Sequence, residues 1–64
     1  MNPEDLRREL DRVWADLSSA ESELESQGPE WRAAGDTDAL NTMQGVIDGL
    51  SAEAERLEAL LRLN

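Results

Sequence analysis

The sequence contains no cysteine, histidine, tyrosine or phenylalanine, and all six of its basic residues are arginine, so lysine is missing as well. Each absence closes a route. Without cysteine there is no disulfide, and without cysteine or histidine no structural zinc, so two staples that hold many very small domains together are excluded. A serine or threonine nucleophile would find no His, Lys, Cys or Tyr to take its proton. Ser18, Ser19, Ser22, Ser26 and Ser51 therefore read as helix-surface or cap residues. A Glu-x-x-His di-iron motif cannot be written without histidine. The pair Glu55 and Glu58, three apart on one helix face, is what chance gives among 15 acidic residues in a chain of 64, and a thin helical pair offers little burial to shift carboxylate pKa values. Gly35-Asp36-Thr37-Asp38 starts like a calcium-binding loop, but Leu40 and Ile47 occupy ligand positions. The expectation is a protein that is not an enzyme and uses no cofactor and no metal.

Positive charge is equally scarce. Six arginines against 15 acids leave a net charge of −9. No basic face can be assembled to neutralise phosphates, which argues against direct nucleic-acid binding. The same sign disfavours anionic membrane surfaces. No window approaches the ~20 consecutive apolar residues of a membrane span. The segment Met1-Asn2-Pro3-Glu4-Asp5 is polar and no apolar run follows it, so the expected location is the cytoplasm of the producing or host cell.

What the chain does have is helical periodicity. Between Thr37 and Leu63, Leu40, Met43, Ile47, Leu50, Ala54, Leu57 and Leu61 recur at alternating steps of three and four, the seam of a helix-packing surface. Val46 and Leu60 widen that stripe, and Gly45, Ala52 and Ala59, seven apart, form a second line of very small residues on another face. Between Ala39 and Ala52 the only charge is Asp48, too few for a helix most of whose surface meets water. An earlier seam of the same period runs through Leu6, Leu10, Val13, Leu17, Ala20 and Leu24.

These patterns predict an all-α antiparallel helical hairpin forming a single domain over residues 1–64. Helix one spans about 3–26, started by Asn2 as cap, Pro3 at the first position and Glu4 and Asp5 in the first turn. Gly28-Pro29 is expected to stop it. A link over 27–36 follows, with room for one helical turn between Pro29 and Ala34, ended by Gly35. Helix two occupies about 37–63, capped by Asp36 or Thr37. Gly45 and Gly49 weaken it, so a break near Gly49 with Ser51 capping a third helix is the alternative.

A domain this small buries only about 60% of the surface of its unfolded chain and, with other staples excluded, association is the remaining common source of stability. The expected function is accordingly a non-enzymatic interaction or assembly module whose amphipathic helices self-associate into a four-helix bundle or coiled-coil oligomer, a homodimer or larger. The expected self-contact residues are Leu40, Met43, Gly45, Val46, Ile47, Gly49, Leu50, Leu57, Leu60 and Leu61. Asp16, Glu21, Glu23, Glu25 and Glu30 form a run of acids with no base among them between Ala15 and Glu30. Together with Trp14 and Trp31 they are the candidate contacts for another protein. The second reading of function follows from that run: a small acidic inhibitor, of the kind phages and mobile elements use, that covers a basic, nucleic-acid-binding site on its target.

Overall fold

A computed structural model describes residues 2–63. Two α-helices, α1 (Pro3–Ala34) and α2 (Thr37–Leu63), pack against each other along a body 47 × 14 × 13 Å. At 1.5 Å per residue the 32 and 27 residues of the helices come to roughly 48 and 40 Å, so the long dimension of the molecule is simply the length of α1.

The start of α1 follows its sequence. The Asn2 side chain accepts a hydrogen bond from the Asp5 N–H at 2.9 Å, Pro3 occupies a position whose missing N–H has no partner to lose, and Glu4 and Asp5 face the positive end of the helix dipole. Its end does not. The helix passes through Gly28-Pro29 and continues to Ala34, so the stop expected near residue 26 and the link over 27–36 are replaced by one longer helix and a turn of two residues. The physical reason lies in the packing seam. Beyond Leu24, Gly28 and then Trp31 continue the stripe at steps of four and three, and both turn inward, Gly28 buried and Trp31 half-buried. Pro29 costs the hydrogen bond to the Glu25 carbonyl, but its fixed φ suits a helix, and its ring lies on the exposed side. A helix that continues past Pro29 keeps Trp31 in phase with the seam, where it is half-buried.

The chain then reverses at Gly35, the only residue with positive φ among those described (71°). The Gly35 N–H donates to the Arg32 carbonyl at 3.1 Å and the Asp36 N–H to the Trp31 carbonyl at 2.8 Å, the paired bonds that close a helix end through a left-handed residue. Asp36 immediately serves the next helix. Its carboxylate accepts from the Ala39 N–H at 3.1 Å, which settles the cap of α2 on Asp36 rather than Thr37. The second helix runs unbroken through Gly45 and Gly49, so no third helix begins at Ser51.

Burial is concentrated at the open end of the hairpin, toward the start of α1 and the end of α2. Leu6, Val13, Ala54 and Leu57 form the core cluster, with Leu10, Leu50 and Leu61 packed against it. Leu17 and Ala20 extend the buried line toward the turn. There the fully buried positions of α1 are the small Ala20 and Gly28, while the larger side chains, Leu24 and Trp31 of α1 and Leu40, Met43 and Ile47 of α2, stay only half-buried. The core therefore thins toward the turn.

Two substitutions test this account of α1. A Cβ on Gly28 would meet nothing nearer than Leu24 Cδ1 at 3.6 Å, an ordinary contact. Gly28→Ala should therefore stabilise the fold by about 0.5–1 kcal/mol, read as a higher urea midpoint. Gly35→Ala, at φ 71°, should lower that midpoint, by about 1 kcal/mol. If the helix ended before residue 28, Gly28→Ala would bring no gain.

Candidate functional site

The two flanks of the hairpin differ in chemistry. On one, a shallow groove between the helices is bordered by Asp16, Ser19 and Glu23 of α1 and by Met43, Val46 and Leu50 of α2, with Ala20 at its base. On the other, a groove near the turn is bordered by Glu21, Glu25, Arg32 and Gln44, with Leu24, Gly28, Pro29 and Ile47 supplying apolar atoms. The acidic run of α1 thus divides between two sides of the molecule, Asp16 and Glu23 on one and Glu21 and Glu25 on the other. It forms a collar around α1 rather than a single patch.

Because α1 reaches Ala34, Glu21, Glu23 and Glu25 sit two or more turns inside the helix, where the negative end of the dipole has little effect. Only Glu30 falls near that end, and Arg32 shares the last turn with it. All four ion pairs among the described residues lie near the open end. Arg8–Asp5 (3.9 Å), Arg12–Glu9 (3.0 Å) and Arg62–Glu58 (3.8 Å) are single contacts. Arg56 grips Glu53 through both Nε and Nη2. That grip holds the Glu53 carboxyl below its ordinary pKa, against the opposing effect of desolvation, and raises the Arg56 pKa. Glu53 therefore contributes stability that is present above the ordinary glutamate pKa and lost as pH falls through the lowered one. The pair is exposed and its contribution small. Glu58, half of the conceivable carboxylate pair, is engaged by Arg62. Among the described residues no group of three or more carboxylates is placed to hold a metal ion.

The residues expected to make a self-contact separate into two sets. Leu57 is 2% exposed and belongs to the core of the hairpin, with Leu50 and Leu61 packed against it. Leu40, Met43 and Ile47 are half-buried. Val46 at 44% and Leu60 at 36% are exposed, as is Leu63 at 84%, a residue the seam pattern did not single out because it lies outside the stripe. Gly45 and Gly49 face away from α1: a Cβ built on either would meet nothing within 4 Å. Trp14 stands 46% exposed beside the α1 seam, whereas Trp31 is half-buried near the turn. Among the described residues no helix is long and apolar enough to cross a membrane. Compared with known protein families, with curated proteins and with solved structures, the chain matches none.

The two indoles report on this arrangement. In Trp31→Phe, the remaining Trp14 should emit at longer wavelength and be quenched more readily by acrylamide than the remaining Trp31 in Trp14→Phe, because an indole in contact with water relaxes the solvent around it. Equal emission and quenching would show that Trp14 is covered.

Proposed function

We propose that the protein is an interaction and assembly module that works by bringing its helix faces against other helices, first of all those of a second copy. The observation that carries this reading is the mismatch between what the hairpin buries and what α2 presents. The buried hydrophobic residues are Leu6, Val13, Leu17, Ala20, Ala54 and Leu57, while Val46, Leu60 and Leu63 of α2 are exposed. Gly45 and Gly49, which interrupt α2 at about 1 kcal/mol each against alanine, serve no packing need inside the hairpin, since a side chain at either would meet open space. Small residues on an outward helix face let a second helix approach closely.

A second reading, of a different class, draws on the charge distribution. Residues 13–52 carry eight carboxylates against Arg32 alone, −7 of the net −9. The acids between Ala15 and Glu30 take part in none of the four ion pairs. They are available to a basic protein surface, including one that otherwise holds nucleic acid. Salt separates the two readings: apolar association persists in 1 M NaCl, where the Debye length falls to about 3 Å, and a contact made by the acidic run is lost.

The test is the double substitution Gly45→Leu with Gly49→Leu. Inside the hairpin both leucines fit and raise helix propensity, so the far-UV circular dichroism should be kept or strengthened. In sedimentation equilibrium the wild-type chain should exceed the mass of one copy and the double variant should not. A wild-type chain that stays at one copy, or a variant that associates as before, would contradict the proposal.

A further inference from the structure

Along the outer side of α2 one row of residues follows the helix at steps of four, three, four, three and four: Asp38, Thr42, Gly45, Gly49, Ala52 and Arg56. All six are exposed. The spacing reads the same in both directions, with the two glycines at its middle and an acid and a base at its ends. Two such rows laid antiparallel across a two-fold axis between Gly45 and Gly49 would bring each Arg56 level with the partner copy's Asp38. Laid parallel, the same rows would set arginine against arginine and aspartate against aspartate.

We infer that α2 is the dimerisation helix and that its outer face meets the same face of a second copy in the antiparallel sense. The inference rests on the self-association proposed above and adds the face and the direction. Charge complementarity selects the direction. Among the described residues Asp38 joins none of the ion pairs, and Arg56, which uses Nε and Nη2 on Glu53 and also feels the charge of Glu9, keeps Nη1 for a further acceptor. The acids of α1 border the two flanks of the hairpin, Asp16 and Glu23 on one and Glu21 and Glu25 on the other, and none stands in the row itself. On one edge of the crossing Val46, exposed in the single hairpin, meets its own counterpart, an apolar pair beside the glycine contact. On the other edge Asp48, hydrogen-bonded by Gln44 at 3.4 Å, meets its counterpart, a like-charge contact that weakens the dimer. Parallel packing would instead set Val46 beside Asp48.

The absence of cysteine makes disulfide trapping unambiguous. Thr42→Cys and Ala52→Cys chains, mixed under mild oxidation at a concentration where sedimentation shows association, should form the mixed disulfide in preference to either symmetric one. Predominance of the symmetric species, or no cross-link at all in an associating sample, would overturn the antiparallel outer-face contact while leaving self-association standing. A chain that does not sediment above one copy overturns both. Arg56→Glu and Asp38→Arg should each weaken dimerisation roughly fivefold or more, and both an equal mixture of the two variants, through its heterodimers, and the chain carrying both changes should recover most of that loss. Asp48→Asn should tighten the dimer.

Discussion

Everything in this molecule depends on a single seam between two helices. A hairpin has no third element to cover what the seam leaves outside, so each apolar residue of α2 is either held by α1 or left to water. At the open end Leu6, Leu10 and Val13 are large enough to hold Ala54, Leu57 and Leu61. Toward the turn the buried positions of α1 are Ala20 and Gly28, and Leu24 and Trp31 of α1 remain partly uncovered together with Leu40, Met43 and Ile47 of α2. The consequence is a fold that leaves apolar side chains exposed on both helices, Trp14 on α1 and Val46, Leu60 and Leu63 on α2.

Charge is distributed in the complementary way. The ion pairs gather where the core is already well formed, and the carboxylates of residues 13–52 have one arginine among them. Surface pairs of this kind add little to stability, so the arginines near the open end are better understood as limiting repulsion than as holding the helices together. The acid-rich remainder keeps the exterior of α1 hydrated. On α2 the row Thr42, Gly45, Gly49 and Ala52 carries no charge and has small side chains, with Asp48 at its edge.

Much of the fold was legible in the sequence, and the reason is visible in particular residues. The α2 seam from Leu40 to Leu61 and the caps at Asn2 and Asp36 are local signals whose physics needs no partner element, and they set the extent of α2 and the start of α1 correctly. Gly28-Pro29 misled because the rule for helix stops considers only the backbone. Gly28 faces the seam and Pro29 faces out, and whether a helix crosses such a pair depends on what Trp31 gains beyond it. That gain exists only once α2 is in place. The same holds for the candidate contacts: periodicity placed Leu57 among the self-contact residues but could not divide the core of the hairpin from its exterior, and Leu63, off the stripe, went unnoticed. The acidic run looked like one patch in the sequence and became a collar because its members fall on different sides of a helix longer than expected.

The central claim is that this hairpin is incomplete alone and is stabilised by association, which ties its melting temperature to its concentration. Circular dichroism melts of the wild-type chain from micromolar to millimolar concentration measure this directly. The account predicts a midpoint that rises steadily with concentration; a midpoint that stays fixed across that range, from a chain that sediments as one copy throughout, would contradict it.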